Sequence, residues 1–371
     1  NAGDCFTGNL LKSWKKLPPS MNLMENVGGS ETQKSKPTIA IIGSGAVGCY
    51  YGARLWETNA YEVKFHMRGE HYKVSSEKGL NVTSVKGDMF IPPDELMAFD
   101  QTENMGTVDW VIVALKSTGI DAIPDLLRPL LREDTRILCI MNGLVDDDVV
   151  RLLEGQAEGE DPILTKCAAT YGGMALLCSN RKAPGHVDHS FAGKLTASIS
   201  RSSASFPDLE VHRKAMIDLW QPTHGFEFCY DDNIVRARWS KNLWNLPFNG
   251  ISVAMGGITV DKIVTDPGLR RLSYMIMDET LAICNKDIET QGFSNRDFLG
   301  DFEKEQMMAL SDGMGPYKTS TMIDLVNRNP MEVKYLFSKA VERANQLNVP
   351  VPTLSTIVTQ IEAFQRFDCL F

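Results

Sequence analysis

At 371 residues, with 43% hydrophobic and 23% charged content, the chain is long enough to form two domains that each bury a core. Its net charge of −9 argues against nucleic acid or an anionic membrane as the main partner. No apolar run reaches the ~18 residues of a membrane-spanning helix, and the eight scattered cysteines show no zinc-ligand spacing. We therefore expect a cytoplasmic protein without a metal site.

The start of the chain differs in composition from the remainder. Residues 1–36 hold Gly, Ser, Asn, Pro and Lys with little periodicity, so we predict a flexible tail of unknown role. Strand signals alternate with helical signals over residues 37–231, whereas residues 232–371 show helical periodicity. This division predicts an α/β domain with a parallel sheet, followed by an all-α domain.

A glycine-rich turn follows the first predicted strand. The run Thr38–Ile42 is almost wholly apolar, as expected of a buried parallel strand, and it leads into Gly-Ser-Gly-Ala-Val-Gly and an amphipathic stretch over residues 49–57. In that context Gly-x-Gly-x-x-Gly is typical of a dinucleotide site, because its glycines permit a tight turn, a close approach of the pyrophosphate and close helix–strand packing. A purely structural glycine turn is the alternative. The predicted cofactor-binding residues of this turn are Gly43, Ser44, Gly45, Ala46, Val47 and Gly48.

The end of the next predicted strand indicates which dinucleotide binds. This strand, residues 61–67, ends at Arg68, about 20 residues beyond Gly48, where a site that prefers NAD usually has an acidic residue for the ribose 2′-hydroxyl. An arginine there instead pairs with the 2′-phosphate of NADP. We therefore predict NADP(H) as the cofactor. Glu70 lies nearby in sequence and weakens this inference, and an ordinary surface arginine is the alternative.

Two later strands end in polar side chains, one at Lys116 and the next at Asn142. Ligands of open parallel sheets bind outside the carboxyl ends of the strands, so both side chains are candidates to touch cofactor or substrate. His186 and His189 stand near a Pro-Gly sequence without an acidic or cysteine partner at ligand spacing, and we interpret them as ordinary loop residues.

The helical half contains three polar side chains at four-residue spacing. Lys241, Asn245 and Asn249 stand among tryptophan, leucine and phenylalanine residues, and residues four apart share one face of a helix. Burying such groups unpaired costs ~1–3 kcal/mol each, so a polar partner must meet them. A solvated stripe on a surface helix is the alternative for this segment taken alone. A cleft between the two halves is the usual place for a substrate.

The order and spacing of these residues resemble the ketopantoate reductase (2-dehydropantoate 2-reductase) family over about residues 38–365. The most specific parts are the Lys-x3-Asn-x3-Asn sequence and the sequence Ser-x11-Glu formed by Ser320 and Glu332. The resemblance implies a Rossmann-type NADP-binding domain followed by an all-α domain like the C-terminal domain of 6-phosphogluconate dehydrogenase. Helical second domains of this type often dimerise, so a homodimer is one expected arrangement.

The resemblance also implies roles for individual residues. Hydride would pass from the nicotinamide to the C2 carbonyl of 2-dehydropantoate, and Lys241 would donate the proton. Its apolar surroundings would lower its pKa by desolvation. The implied substrate-binding residues are Asn142, Asn245, Asn249, Ser320 and Glu332, and the implied cofactor contacts outside the turn are Arg68, Lys116, Asn142 and Glu332. Glu332 would also compensate the charge of Lys241. The alternative for Ser320 is a helix N-cap, and the alternative for Glu332 is an acid on a helix surface.

The chain departs from the commonest family pattern in two places. Pro247 falls between the two asparagines, where it is expected to kink the helix, and Thr259 stands where another substrate asparagine is expected. We expect Thr259 or the nearby Gly256-Gly257 turn to reshape one wall of the site. The substrate would then be 2-dehydropantoate or another small 2-oxo acid. A third hypothesis, from a different class, is an NADP(H)-binding sensor with little turnover.

Overall fold

The computed structural model of the protein describes residues 35–155 and 162–367. The predicted tail, residues 1–36, therefore lies almost wholly outside the described residues. None of the described helices is long and apolar enough to cross a membrane.

The strands of the described residues form one sheet. They are β1 (Thr38–Ile42), β2 (Glu62–His66), β3 (Leu80–Ser84), β4 (Met89–Ile91), β5 (Met97–Phe99), β6 (Trp110–Val113), β7 (Arg136–Ile140), β8 (Ala169–Ala183), β9 (His186–Ser202) and β10 (Glu227–Tyr230). Their order is β4-β3-β9-β8-β7-β6-β1-β2-β5, and β10 pairs with β9.

Helices flank this sheet and then make up the second half of the chain. They are α1 (Ala46–Glu57), α2 (Gly69–Lys78), α3 (Ile123–Leu127), α4 (Asp146–Glu154), α5 (Leu209–Trp220), α6 (Ile234–Ala254), α7 (Val260–Thr265), α8 (Pro267–Thr290), α9 (Asp301–Asp312), α10 (Ser320–Val326), α11 (Lys339–Gln346) and α12 (Pro352–Arg366). A π-helical turn, Lys334–Ser338, leads directly into α11.

The middle of the sheet is parallel and buried. The strands β5, β2, β1, β6, β7 and β8 run in one direction, and every residue of β6 is buried. Such strands carry continuous apolar runs because helices cover both faces of the sheet. This arrangement, followed by helices alone, confirms the predicted fold class. The proposed division at residues 231 and 232 falls between β10 and α6.

The sheet also contains a long antiparallel hairpin, β8–β9, so it is mixed rather than wholly parallel. His186 and His189 belong to β9, and the prediction that they lie in a loop is wrong. His189 is buried, and its Nδ1 lies 2.8 Å from the Ser84 hydroxyl. The Pro-Gly signal marks only the short turn of the hairpin, between Ala183 and His186.

Helix α6 is the centre of the helical half. It packs within an apolar cluster drawn from α7, α8, α9 and α12. The helix runs without interruption through Pro247 and ends at Ala254. Every residue from 237 to 253 is buried except Lys241, which is only partly buried. The segment is therefore an interior helix rather than a surface helix with a solvated stripe, and its polar side chains need internal partners or a ligand.

Candidate active site

A cleft of about 420 Å³ lies between the carboxyl edge of the parallel sheet and the helical half. From the sheet side it is lined by residues of the glycine turn, by the ends of β6 and β7, and by β8; from the helical side, by α6, α10 and the segment after α10. The predicted residues that line it are Gly45, Ala46, Val47, Lys116, Asn142, Lys241, Asn245, Ser320 and Glu332. The tertiary fold therefore brings most of the predicted site together, although these residues are far apart in sequence.

The glycine turn provides space and unpaired donors at the N-terminus of α1. A Cβ on Gly48 would lie 2.4 Å from the Gly43 carbonyl oxygen, so only glycine lets the helix begin this close to the turn. A Cβ on Gly45 would meet no atom within 4 Å, because that position faces open space. The Ser44 hydroxyl is buried and has no hydrogen-bond partner among the described residues. Open space, an orphaned hydroxyl and a helix N-terminus together fit a phosphate group.

Arg68 lies at the far side of the glycine turn. It is exposed, it follows β2, and it is the N-cap residue of α2. The Ser44 amide donates to the His66 carbonyl oxygen at 3.4 Å, which keeps the end of β2 against the turn. Among the described residues Arg68 forms no ion pair, with Glu70 or with any other acid. Its guanidinium is thus available to a ligand, although it does not line the cleft itself.

Lys241 lines the cleft from the helical side. Its ammonium has no hydrogen bond or ion pair with another described residue, and Nζ lies 5.9 Å from the centroid of the Trp244 ring. Burial lowers the pKa of Lys241 from 10.5 to about 8, while the neighbouring Cys178 acts in the opposite direction. Because water is excluded, the charged form loses solvation and the proton is released more easily. Lys241 is therefore a partly buried acid that can give up a proton near neutral pH.

A chain of hydrogen bonds orients the two asparagines of α6. The Thr321 amide, which can only donate, bonds to Asn249 Oδ1 at 3.2 Å, and the Ser320 hydroxyl donates to the same oxygen at 3.3 Å. Asn249 Nδ2 must then point to Asn245, where it donates to Oδ1 at 3.2 Å. Asn245 Nδ2 is left buried and without a partner among the described residues, and Asn245 lines the cleft. The network therefore presents an amide N–H to whatever occupies the cleft.

Asn249 itself does not reach the cleft. Its side chain is fully buried, and among the described residues it forms hydrogen bonds with Asn245, Ser320 and Thr321. The geometry therefore favours an indirect role, in which Asn249 positions groups that touch the substrate. Ser320 is exposed, and Thr319 rather than Ser320 caps helix α10, so the Ser320 hydroxyl can exchange its bond to Asn249 Oδ1 for one to a ligand.

Glu332 joins two sheet-edge loops to the helical half. Its Oε1 accepts from the Ser117 amide at 2.8 Å, and its Oε2 accepts from Asn142 Nδ2 at 3.3 Å. Asn142 Oδ1 is thereby directed away from the carboxylate and is available as an acceptor. Among the described residues no ion pair joins Glu332 to Lys241, so the expected charge compensation is not met. The carboxylate instead holds Asn142 in place.

Lys116 is paired across the cleft. Its ammonium forms an ion pair with Asp324 of α10, whose side chain is buried. Lys116 remains half exposed, so it can contact a ligand while the pair holds its stem in position. Asp324 could not be predicted from the sequence, because an acid in a short helix gives no signal without its partner.

Arg238, three residues before Lys241 on α6, was also missed by the sequence reasoning. Its guanidinium is buried and forms a bidentate pair with Asp146, at 2.6 Å from Nε to Oδ2 and 2.8 Å from Nη2 to Oδ1. It also donates to the carbonyl oxygens of Met141 and Gly173. Since Met141 directly precedes Asn142, this cluster fixes the relative positions of Lys241 and the end of β7.

The wall near Lys241 is aromatic. Trp244 and Tyr317 line the cleft, with ring centroids 6.1 Å apart. Burial raises the pKa of Tyr317 above its usual range, so its hydroxyl stays protonated. Thr259 and the Gly256-Gly257 turn do not line the cleft, and the expectation that they reshape its wall is wrong. Thr259 is the N-cap residue of α7 instead.

Comparisons with known proteins identify the family of the chain. A family model described as ketopantoate reductase PanE/ApbA matches residues 39–201, and its C-terminal counterpart matches residues 233–365. A 2-dehydropantoate 2-reductase of Nostoc sp. is 28% identical over 87% of this chain and 93% of its own length. One of Mesorhizobium japonicum is 27% identical over 87% of this chain and 96% of its own length. The crystal structure of 2-dehydropantoate 2-reductase from Geobacter metallireducens is 30% identical, with a TM-score of 0.75 over 88% of this chain and 99% of that chain.

Proposed function

The chain belongs to the ketopantoate reductase family, and from that premise we propose that it reduces 2-dehydropantoate to pantoate with NADPH. The relatives from Nostoc sp. and Mesorhizobium japonicum are named 2-dehydropantoate 2-reductase, and the match covers nearly the whole length of both. Lys241 is the proposed proton donor. The proposal makes the protein an oxidoreductase that acts on a CH–OH group.

The observation that carries the proposal is the position and acidity of Lys241. Reduction of a carbonyl places negative charge on its oxygen, and a proton donor must stand beside it. Lys241 lines the same cleft as the glycine turn, and burial lowers its pKa to about 8. A donor with a pKa near the working pH transfers its proton most effectively.

The remaining cleft residues bind and orient the substrate. Bound NADPH supplies the hydride for the C2 carbon of the 2-oxo acid. Lys241 protonates the carbonyl oxygen, while Asn245 Nδ2, which lacks an internal partner, donates to a substrate oxygen. Ser320 binds the carboxylate, and Asn142, held by Glu332, accepts from a hydroxyl or amide group in the cleft.

Arg68 supports NADP(H) rather than NAD(H) as the cofactor. An exposed arginine follows β2, where the ribose 2′ position lies in dinucleotide folds, and no acid in residues 35–155 or 162–367 pairs with it. The 2′-phosphate would neutralise this guanidinium in a charge-assisted pair. The first contacts of the pyrophosphate would be the amides and the Ser44 hydroxyl at the start of α1.

A second candidate is the same reaction on a bulkier 2-oxo acid. The observation that favours it is the aromatic wall formed by Trp244 and Tyr317 beside Lys241. Such a wall can hold an apolar substituent by burying it.

Steady-state NADPH oxidation, followed by absorbance, tests both candidates. Purified protein is assayed with 2-dehydropantoate and with a panel of 2-oxo acids that bear aliphatic or aromatic substituents. The highest kcat/KM for 2-dehydropantoate supports the proposal. A higher kcat/KM for an aromatic or branched acid replaces it with the second candidate, and absence of turnover with every acid leaves a dinucleotide-binding sensor.

A further inference from the structure

The β8–β9 hairpin supplies a wall of the cleft that the glycine motif does not predict. β8 pairs with β7 only as far as Gly173, and the rest of the strand continues beyond the edge of the parallel sheet. Alternate residues of a strand point to the same side. The alternate residues Ala175, Leu177, Ser179 and Arg181 all line the cleft. Arg181 is the last of them and carries the only charge of the four.

The turn of this hairpin is anchored behind the glycine turn. The Gly185 amide donates to His71 Nδ1 at 3.0 Å, in the first turn of α2. His71 Nε2 lies 3.5 Å from the Cys49 sulfur, whose thiol donates to the Ser44 carbonyl oxygen at 3.3 Å. These contacts connect the hairpin to the start of α1, so the strand segment that carries Arg181 has a defined position beside the glycine turn.

Within the described part of the chain, no acidic side chain neutralises the charge of Arg181. The side chain is exposed, and among the described residues it forms no ion pair with an aspartate or glutamate. Arg181 lines the cleft together with Gly45 and Ala46 at the start of α1. Burial and, after it, the positive charge of Arg181 lower the pKa of His71 in α2. A cation without an acid beside the positive end of a helix dipole is repelled by that dipole unless an anion binds between them. The adjacent Lys182, in contrast, pairs with Asp188 at 3.7 Å.

We propose that Arg181 binds the pyrophosphate of the dinucleotide, on the side opposite to the glycine turn. The inference rests on the proposed cofactor and adds to it a residue outside the glycine motif. Arg181 lines the same cleft as Gly45, Ala46 and Val47, where the pyrophosphate of dinucleotide folds lies. Arg68 lies outside that lining at the end of β2. The two arginines would therefore contact different phosphates, Arg181 the pyrophosphate and Arg68 the 2′-phosphate.

The test compares the dissociation constants of NADPH and NADH for Arg181→Ala and Lys182→Ala, measured by calorimetry in the absence of substrate. Because the pyrophosphate is common to both dinucleotides, Arg181→Ala should weaken both by a similar factor, on the order of tenfold or more for the loss of a charge-assisted pair. The loss should shrink as salt is added. Lys182→Ala is the matched control and should bind as the wild type does, because its ammonium faces Asp188. Arg181→Lys should bind with intermediate affinity.

Unchanged affinity of Arg181→Ala for both dinucleotides would overturn the proposal. Loss of affinity for NADPH alone would also overturn it, since that result assigns Arg181 to the 2′-phosphate. Thermal unfolding of each apo variant checks that the hairpin still folds. This test can be told apart from the test of the proposed function. If the wild type binds NADPH but reduces no 2-oxo acid, the proposed function is wrong. The comparison of dissociation constants still decides the role of Arg181.

Discussion

One backbone amide determines how two side chains of the site are oriented. The Thr321 N–H can only donate, so Asn249 must turn its oxygen towards it and its NH2 group towards Asn245. The free Nδ2 of Asn245 is the result. A purely local description of α6 would place both asparagines in the same role, although only Asn245 lines the cleft and Asn249 supports it from behind.

The two asparagines should therefore differ on substitution. Asn245→Ala should lower kcat/KM for the 2-oxo acid by about tenfold or more, because a buried donor to the substrate is worth ~1–3 kcal/mol. Asn249→Ala should in addition lower the free energy of unfolding by ~1–3 kcal/mol, since it leaves several buried groups unpaired. Urea denaturation and steady-state kinetics measure the two effects. Equal stability of the two variants would contradict the positioning role of Asn249.

The acidity of Lys241 predicts the pH dependence of the reduction. The ammonium is the form that donates, and its pKa is lowered to about 8. The rate should therefore be highest below that pH and fall as the pH rises through about 8, because the ammonium is lost. Lys241→Ala should lower kcat by ~10²–10⁴-fold and abolish this dependence. Lys286→Ala, which removes an exposed lysine paired with Glu289, is the control. A wild-type rate that stays constant across this range would exclude Lys241 as the proton donor.

Arg68 should determine the preference between the two dinucleotides. Arg68→Glu should weaken NADPH far more than NADH, because a carboxylate repels the 2′-phosphate that the guanidinium attracts. Fluorescence titration with both dinucleotides measures the ratio of dissociation constants. If both dinucleotides weaken equally, Arg68 does not contact the 2′-phosphate. Glu70→Gln serves as the neighbouring control, since Glu70 is exposed on the same turn of α2.

At the scale of an element, α6 shows how Lys241, the proposed proton donor, is held in position. Residues 237 to 253 of the helix are buried except Lys241, which is partly buried and lines the cleft. Arg238, one turn earlier, bonds to Asp146 and to the Met141 carbonyl oxygen. The helix is thus tied to the start of α4 and to the end of β7, on either side of Asn142.

Breaking this buried ion pair should be costly. Arg238→Met should lower the free energy of unfolding by ~3 kcal/mol, because the largely buried Asp146 loses its ion-pair partner and keeps only a long hydrogen bond from Ser200. The double variant Arg238→Met/Asp146→Leu should recover part of the loss, as apolar replacements of buried pairs often do. Urea denaturation gives the values. Arg270→Met, which removes an exposed pair with Asp312, should cost ~1 kcal/mol or less. Equal losses for the two arginines would show that the Arg238 pair contributes no more than a surface pair.

At the scale of the whole molecule, contacts across the cleft already join its sheet side to its helical side without a ligand. Glu332 connects the helical half to the loops after β6 and β7, and Lys116 pairs with Asp324 across the same gap. A dinucleotide in the cleft would touch both of these sides. Its binding should therefore stabilise the entire chain.

NADPH at a hundred times its dissociation constant should stabilise the fold by ~2.7 kcal/mol and raise Tm by several degrees. Glu332→Ala should reduce this rise, because Asn142 and the loop at Ser117 lose their common partner. Differential scanning fluorimetry with and without NADPH measures it. Glu342→Ala, an exposed acid of α11, should behave as the wild type does. An undiminished rise in Glu332→Ala would remove Glu332 from the cofactor site.

Local patterns were sufficient to predict the fold class, because strand, turn and helix signals depend on neighbours in sequence. The apolar run before the glycine turn and the four-residue spacing on α6 are signals of this kind. The β8–β9 hairpin was not predicted as such, since its pairing joins residues whose own sequence suggested a loop near Pro184 and Gly185. Antiparallel pairing is set by register across strands, and that register is a property of the folded sheet.

The sequence by itself determined the residue types that the chemistry needs: the glycines of the turn, the lysine, the asparagines and the glutamate. Only the tertiary structure decided which of them face the cleft, because the partners that orient them are distant in the chain. The amide that orients Asn249 is 72 positions away, and the partner of Lys116 is 208 positions away. The lowered pKa of Lys241 likewise comes from its burial in the folded chain, with Trp244 of α6 and Cys178 of β8 as neighbours. Hydrogen-bond direction and desolvation depend on spatial neighbours, and spatial neighbours exist only once the chain has folded.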